Sequence, residues 1–338
     1  MIKGAKIRIE IHNILFSIYK FNKTLNSPSI KKQIEKQKNE DISFLYNVTL
    51  NSMRLHLHCT KIINKFIKKK LRDQEKILLI SAITQIVFLN FKEYAVVNCS
   101  VEIAKKLKLY PGLINATLKK IAKNKDTLKQ IKINFEDLPP WFQKKTNFLS
   151  DNEKKQFISY FYKEPNIHII FKSEEMLNRF EDKLIKTSKV SGFLVDEKNI
   201  QNNKSFIDGE WWVQDFSSFL PLYIFKERNK KLKFLDACAA PGGKSFQILS
   251  RKLNIVLNDK NKNRIEILES NLNRLKLKGK ILNKDFTQFG NKEKYDVIII
   301  DAPCSSIGTI RRNPEIFFKN KSPNFNELIS LQKNMLDK

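Results

Sequence analysis

Cysteine is scarce in this sequence, and its spacing excludes the common metal and disulfide frameworks. The four cysteines form no Cys-x-x-Cys pair; they are Cys59, Cys99, Cys238 and Cys304. The cluster His56-Leu57-His58-Cys59 has no second ligand pair elsewhere in the sequence, and residues two apart do not share a helix face. We therefore expect a reduced, cytoplasmic protein without a bound metal.

A long apolar run is also missing. The longest apolar window, residues 77–91, is interrupted by Ser81, Thr84, Gln85 and Asn90, whereas a bilayer-spanning helix needs about 20 apolar residues. The N-terminus has no charged region followed by an apolar core, so we expect no secretory signal. These features argue against a membrane partner.

Acidic residues are few. The 338-residue chain has 35 Asp plus Glu against 63 Lys plus Arg, which gives a formal net charge of +28. Such an excess favours a polyanionic partner, and with the membrane set aside this partner is a nucleic acid. A proteome-wide bias toward lysine, isoleucine and asparagine would produce the same excess. The charge therefore supports nucleic-acid binding without establishing it.

The first part of the chain has the apolar spacing of helices. Along residues 1–130 apolar side chains recur at helical intervals, as at Ile7, Ile11 and Ile14, and the polar run 31–41 predicts a loop. The adjacent prolines Pro139 and Pro140 suit a domain junction, because they remove backbone donors and disfavour a continuing helix. We predict an all-helical domain with a basic surface over residues 1–135.

A small α+β connector is predicted over residues 136–210. Its elements are a strand at 166–171, a helix at 173–187 and a strand at 192–195.

From Lys233 onward strands and helices alternate. The predicted strands span 233–236, 254–259, 280–283 and 295–301, and helices at 244–253 and 263–275 lie between the first three. This order predicts a parallel sheet covered by helices. The last strand is apolar at every position from 297 to 300, as in a strand buried on both faces. Residues 211–338 are therefore predicted to form a Rossmann-like α/β domain.

A glycine-containing turn joins the first of these strands to a helix. Its sequence is Asp236-Ala237-Cys238-Ala239-Ala240-Pro241-Gly242-Gly243-Lys244-Ser245. Small residues let the backbone approach a ligand, and the helix N-terminus offers unbonded N–H groups. A P-loop would need glycine five residues before Gly243, but that position is Cys238. We expect a nucleoside cofactor here rather than a nucleoside triphosphate.

An aspartate stands at the end of each of the later strands. These are Asp259, Asp285 and Asp301, and the carboxyl ends of parallel strands share one crevice. The aspartate after the second strand can accept both ribose hydroxyls, and Asp285 can accept from an adenine amine. Any one of them alone is more often a helix cap or a surface residue.

A cysteine follows the fourth strand in Asp301-Ala302-Pro303-Cys304-Ser305-Ser306-Ile307-Gly308. A lone cysteine is commonly an inert core residue. Beside a carboxylate, however, a thiolate could add to C6 of cytosine and make C5 nucleophilic toward a methyl sulfonium, and an acid near N3 would drive the addition. This context favours the reactive interpretation of Cys304.

These two motifs resemble the NOL1/NOP2/Sun family of RNA cytosine-C5 methyltransferases. Further matches are Trp212-Val213-Gln214-Asp215 and Arg311-Arg312-Asn313-Pro314-Glu315. The N-terminal half resembles a NusB-type RNA-binding helical domain, through residues 77–91, Ala95-Val96-Val97-Asn98, residues 101–106 and Gly112-Leu113-Ile114-Asn115-Ala116. That layout is typical of the RsmB/Sun (Fmu) group, and it implies 5-methylcytidine formation in 16S rRNA by a monomer that uses S-adenosyl-L-methionine.

The resemblance also implies roles for individual residues. Asp259 would hold the ribose of the cofactor, Asp285 the adenine, and Asp301 would lie between the cofactor and the target cytosine. The methionine and ribose end would be lined by Cys238, Ala239, Ala240, Pro241, Gly242, Gly243 and Lys244.

The catalytic residues implied are Cys304 and Asp301, with one departure from the family. In the family the cysteine of the Asp-Ala-Pro-Cys motif helps to release the product, and the attacking cysteine lies in a later Thr-Cys-Ser motif. We expect that motif beyond Lys338 and therefore a C-terminally truncated chain, with an unpaired edge at strand 295–301. Cys304 acting as the nucleophile itself is the other possibility. A non-catalytic RNA-binding protein that keeps the cofactor pocket is the alternative function.

Overall fold

The computed structural model describes residues 4–180, 183–195, 200–225, 231–290 and 293–338. The chain divides into two compact units, the first formed by Met1–Glu164 with Ser306–Pro323 and the second by Pro165–Ser305 with Asn324–Lys338. The boundaries expected near residues 135 and 210 stay predictions. Among the described residues, no helix is both long and apolar enough to cross a bilayer.

The first unit is helical throughout. Its helices begin where the sequence supplies starting signals: a proline stands in the first turn of α2, α7 and α9, and Ser150 caps α10 with Glu153 in a capping box. The helices are α1 (Ala5–Phe21), α2 (Pro28–Glu35), α3 (Asn39–Arg54), α4 (His56–Phe66), α5 (Asp73–Ile83), α6 (Glu93–Lys106), α7 (Pro111–Lys123), α8 (Lys125–Lys129), α9 (Pro140–Lys145), α10 (Asp151–Phe161) and, from the second segment, α16 (Glu315–Phe318).

The loop expected at residues 31–41 is wrong. Pro28 starts α2, whose Ile30 and Ile34 lie four residues apart and are buried, and α3 begins at Asn39. One apolar pair on a single face is enough to dock a two-turn helix when a packed core provides the opposite surface.

Three polar residues of the apolar window 77–91, namely Ser81, Thr84 and Gln85, form hydrogen bonds inside the first unit. This window is α5 followed by a π-helical turn, Thr84–Phe88. The Thr84 hydroxyl donates to Ile80 O at 2.9 Å, and the Gln85 amide donates to Ser81 O at 3.1 Å. Because these groups bond to the helix itself or to neighbours, the segment can form the centre of a protein core.

The segment Ser306–Pro323 completes the first unit. Phe317 packs against Phe142, with ring centres 4.9 Å apart, and against Phe161, at 5.2 Å. The Arg311 guanidinium donates to Lys163 O at 3.0 Å and to Glu164 O at 2.8 Å. These contacts fix the segment against α9 and α10.

The second unit contains two four-stranded sheets. Its strands are β1 (His168–Phe171), β2 (Leu184–Ser188), β3 (Ser191–Leu194), β4 (Trp211–Val213), β5 (Lys233–Asp236), β6 (Asn254–Asn258), β7 (Lys280–Leu282) and β8 (Val297–Ile299). Its helices are α11 (Glu174–Asn178), α12 (Lys204–Ile207), α13 (Phe216–Ile224), α14 (Gly243–Ser250), α15 (Lys262–Leu275) and α17 (Phe325–Leu336).

The first sheet is antiparallel, in the order β2-β3-β1-β4. The helix predicted at residues 173–187 is wrong, because only the short α11 forms and β2 follows it. Ser173 caps α11, whereas Ile185 pairs with Phe193 of β3. A pairing partner elsewhere in the chain overrides the local helical pattern here.

The second sheet is parallel, in the order β7-β6-β5-β8. Strand β5 lies between β6 and β8, with Asp236 level with Leu257 and Ile299. The carboxyl ends of these strands therefore meet at one edge of the sheet. The burial expected on both faces of the fourth strand is wrong: among the described residues β8 pairs only with β5, and Ile298 is 44% exposed.

Candidate active site

A buried aspartate fixes the turn that follows β5. Asp236 is 1% exposed; its Oδ1 accepts a hydrogen bond from Cys238 N at 3.3 Å, and its Oδ2 accepts one from Ser245 Oγ at 2.7 Å. The carboxylate thus ties the turn to the first turn of α14. Burial raises the pKa of Asp236 to about 6.

Two glycines let the backbone of this turn pass close to its neighbours. Gly242 has a φ of 120°, and a Cβ there would lie 1.9 Å from Cζ of Phe246. A Cβ at Gly243 would lie 3.2 Å from Cδ of Gln214. Any side chain at Gly242 would have to displace a buried ring, so this position needs glycine.

Helix α15 holds the same turn from the other side. Asn271 Nδ2 donates to Pro241 O at 3.1 Å, and the Arg264 guanidinium donates to Ala240 O. Neither residue was among the predicted site residues. Their partners are backbone carbonyls brought close by tertiary packing, and no local sequence pattern marks such donors.

Asn258 joins three segments at the strand ends. Its Nδ2 donates to Ala237 O at 3.1 Å and to Lys284 O at 3.0 Å, and its Oδ1 accepts from Lys284 N at 3.1 Å. The residue is fully buried. Sequence reasoning missed Asn258, although a polar residue closing the otherwise apolar run Ile255-Val256-Leu257 was a usable signal.

Asp259 follows β6 and offers an open acceptor. It is 3% exposed, and its Oδ1 accepts from Asn261 N at 2.9 Å. Its Oδ2 is buried and accepts no hydrogen bond from the described residues, although Arg264 Nη1 lies 3.4 Å away. A buried carboxylate oxygen in this state is suited to a ligand that donates hydrogen bonds.

Asp285 caps a short turn after β7. Its Oδ1 accepts from the backbone N–H of Thr287 at 3.0 Å and from the Thr287 hydroxyl at 2.7 Å. These bonds lower the pKa of Asp285, because they stabilise the charged form. The residue is half-buried at the same sheet edge.

Asp301 lies in the loop after β8 and pairs with the glycine turn. Lys244 Nζ is 2.6 Å from Asp301 Oδ2, and 61% of the Asp301 side chain is exposed. Cys304 is exposed in the same loop, and Gln332 of α17 donates to Pro303 O at 2.8 Å. The loop is thus held at Asp301 and at Pro303.

The two cysteines of this region have different surroundings. Cys238 is half-buried, and burial, together with the charges of Asp259 and Asp236, raises its pKa to about 11. Cys238 therefore stays a thiol at neutral pH and is a poor nucleophile. Cys304, in contrast, is exposed to solvent.

The tryptophans near the turn are packing residues. Trp212 is 3% exposed, donates from Nε1 to Gln214 Oε1 at 3.0 Å and lies edge-on to Phe246 at 5.7 Å. Trp211 is fully buried and donates to Ser205 Oγ. Trp212 packs the antiparallel sheet against the helix that follows the glycine turn, whereas Trp211 packs among Phe171, Phe180 and Phe206.

The predicted site residues therefore meet along one edge of the parallel sheet. The backbone N–H of Asp259 donates to Leu282 O at 3.2 Å, Asn283 Nδ2 donates to Asp259 O at 2.8 Å, and Lys244 pairs with Asp301. The arrangement presents a close backbone turn and several carboxylates to one crevice. Such a crevice can bind a ligand that carries hydroxyl and amino donors.

Comparison with known proteins gives two matches in chain order. The family model of the NusB family matches residues 5–123, and that of the 16S rRNA methyltransferase RsmB/F matches residues 222–338. The crystal structure of PH0851 superposes with a TM-score of 0.70 at 18% sequence identity, covering 100% of this chain and 82% of that one. This likeness shows a shared fold.

Curated relatives extend over most of the sequence. Ribosomal RNA small subunit methyltransferase B of Shewanella oneidensis is 26% identical over 88% of this chain and 74% of its own length. The protein of the same name from Vibrio vulnificus is 25% identical over 98% of this chain and 83% of its own length. Residues 222–338 are therefore similar to the RsmB/F family of 16S rRNA methyltransferases, and residues 5–123 ahead of them are similar to the NusB family.

Proposed function

We propose that this protein transfers a methyl group from S-adenosyl-L-methionine to C5 of a cytidine in 16S rRNA, through a cysteine–pyrimidine adduct. The observation that carries the proposal is the buried Oδ2 of Asp259 beside the glycine turn, which is ion-paired with Arg264 but accepts no hydrogen bond from the described residues. It combines an acceptor for ribose hydroxyls with a backbone that approaches a ligand closely.

The residues at the sheet edge fit this cofactor. Asp259 can accept from the ribose hydroxyls and Asp285 from the adenine amine, because both carboxylates are acceptors only. The segment Cys238, Ala239, Ala240, Pro241, Gly242, Gly243 and Lys244 would line the methionine and ribose end. When bound, S-adenosylmethionine supplies a methyl group on a positively charged sulfur.

Cys304 and Asp301 are the residues proposed to act on the cytosine. A thiolate adding to C6 forms a carbon–sulfur bond and makes C5 nucleophilic; after C5 is methylated, removal of its proton expels the thiolate and restores the ring. Asp301, held by Lys244, would sit beside the base near N3. Cys304 serves either as the attacking thiolate or in the release step, and these roles predict different products for a Cys304 variant.

The basic surface of the helical unit supports RNA as the substrate. Tyr110 is 61% exposed, with the Arg72 guanidinium 4.7 Å and the Lys69 ammonium 5.6 Å from its ring centre. An exposed aromatic ring flanked by cations suits a stacked base and its phosphate.

The cofactor assignment is tested at Asp259. Asp259→Ala should weaken S-adenosylmethionine binding at least about ten-fold, because a buried charged acceptor is lost. Isothermal titration calorimetry measures the affinity, and Asp208→Ala, which removes an exposed aspartate of the same unit, is the matched control. Equal affinities for both variants would remove Asp259 from the cofactor site.

The reaction is tested with unmodified 16S rRNA and tritiated S-adenosylmethionine. Radioactivity should appear in 5-methylcytidine after nuclease digestion. In a chain extended through the Thr-Cys-Ser segment expected beyond Lys338, a Cys304→Ala variant that leaves a protein–RNA adduct stable to denaturing electrophoresis would place Cys304 in release. Loss of both adduct and product in that variant would make Cys304 the nucleophile. Cofactor and RNA binding without any transfer would favour the non-catalytic alternative.

A further inference from the structure

The second unit contains a cavity of about 510 Å³ that none of the proposed site residues lines. It is bounded by β1, β4, α13 and the C-terminal end of α14, near Ser250 and Arg251. The glycine turn is at the other end of α14, about 12 Å away at 1.5 Å per residue. The volume is within the range of small-molecule sites, about 300–1,000 Å³.

One polar side chain in this cavity is buried without a partner. Gln247 is 4% exposed, and neither its Oε1 nor its Nε2 has a hydrogen-bond partner among the described residues. Ser250 Oγ, also in the lining, is in the same state. Buried amides are nearly always bonded in folded proteins, so this donor–acceptor pair points to a ligand.

The walls of the cavity are aromatic. Trp212, Phe219, Tyr223 and Phe225 line it, and the rings of Phe219 and Tyr223 are stacked with their centres 4.9 Å apart. A coplanar donor and acceptor between aromatic walls matches the hydrogen-bonding edge of a nucleobase.

The rim of the cavity is positively charged. Among the lining residues that the structure describes, three are basic (Lys172, Lys189 and Arg251) and one is acidic (Glu174). The Lys189 side chain is 77% exposed, and its Nζ lies 4.0 Å from Oε2 of Glu174. The Nζ of Lys172 donates to Leu275 O at 3.0 Å. The excess of cations favours an anionic group such as a phosphate beside the apolar chamber.

We propose that this cavity binds a nucleotide, with the base between the aromatic walls, the Gln247 amide on its hydrogen-bonding edge and the phosphate at the lysines. The nucleotide belongs to an unpaired stretch of the RNA substrate, so this inference rests on the proposed function. A free nucleotide has the same chemistry, and the two sources are separated by the probes below.

The test uses calorimetry on the full chain saturated with S-adenosylhomocysteine, so that the proposed cofactor site does not bind the probes. The probes are a ten-nucleotide single-stranded RNA and the four nucleoside monophosphates. Gln247→Leu should weaken RNA binding about ten-fold, because the bonded amide is lost. Lys189→Ala, at a position whose side chain is 77% exposed, should weaken RNA binding about two- to five-fold. Lys183→Ala removes an exposed lysine outside the lining and should change nothing.

The outcomes are distinct. RNA binding weakened by Gln247→Leu and Lys189→Ala, without monophosphate binding, supports the RNA source. Monophosphates that bind as tightly as RNA support a free nucleotide. If both variants bind RNA with unchanged affinity and still bind S-adenosylhomocysteine, the proposal that this cavity binds a nucleotide is overturned. If the unaltered chain does not bind S-adenosylhomocysteine, the proposed function is refuted. The measured RNA and monophosphate affinities of the cavity would still stand.

Discussion

Replacing Asp236 with asparagine removes a charge from the glycine turn while keeping its shape. Both carboxylate oxygens of Asp236 accept hydrogen bonds, one from Cys238 N and one from the Ser245 hydroxyl. The asparagine oxygen can keep the first bond. Its amide can donate to Ser245 Oγ, because a hydroxyl both donates and accepts. The substitution therefore isolates the effect of the charge.

The expected gain in stability follows from the pKa of this group. Burial raises the pKa of Asp236 from its ordinary value of 3.8 to about 6. The folded state thus holds the proton more tightly than the unfolded chain does. The stabilisation of the folded state by protonated Asp236 is complete below pH 3.8 and is lost as the pH rises to about 6. At about 1.36 kcal/mol per pKa unit, ionised Asp236 costs the fold about 3 kcal/mol at pH 7.

Guanidinium unfolding measures this difference. A Trp141→Phe background leaves both remaining tryptophans in the second unit, so that their fluorescence follows that unit. The unfolding free energy of Asp236→Asn should equal that of the parent near pH 4 and exceed it by about 3 kcal/mol at pH 7. Asp208→Asn, at an exposed position, should follow the parent at every pH. Parallel pH profiles for the parent and Asp236→Asn would refute the reasoning.

Two further predictions concern His12 and Gly242. His12 is 1% exposed with neither ring nitrogen bonded, and burial lowers its pKa from 6.5 to about 4. Its stabilising contribution is therefore present above pH 6.5 and is lost as the pH falls toward 4. In urea unfolding, the unfolding free energy of His12→Phe should rise by about 3 kcal/mol relative to that of the parent as the pH falls from 6.5 to 4. A difference between the two proteins that does not change with pH would contradict this. Gly242→Ala should lower the unfolding free energy by about 2 kcal/mol or more and weaken S-adenosylmethionine binding. Gly290→Ala, whose Cβ would meet nothing within 4 Å, is the control, and equal losses in both would disprove the steric argument.

The parallel sheet could be predicted because its signals are local. The strand at Lys233–Asp236 has the predicted bounds, and α15 begins one residue before its predicted start. Glycine turns and aspartates at strand ends depend on a few neighbouring residues, so the sequence alone indicates one shared crevice. The matched families agree with this fold.

The donors that hold the crevice could not be predicted. Arg264 and Asn271 bond carbonyls 24 and 30 residues away. Their role depends on how α15 packs against the turn. In the same way, β2 forms because β3 is available to pair with it, which the sequence from 173 to 187 does not reveal.

The first unit is completed by Ser306–Pro323, which is synthesised long after the rest of that unit, and this affects when the unit can finish folding. A ribosome completes residues 1–164 long before Phe317, whose ring contacts Phe142, Phe157, Phe161 and Trp141. Domains usually fold as they emerge. Here the N-terminal unit has to wait, with part of its aromatic surface uncovered, until about 140 residues of the other unit have been made. A shortened clone ending at residue 164 would keep that surface permanently exposed, and it should be poorly behaved in solution even if every helix within it forms.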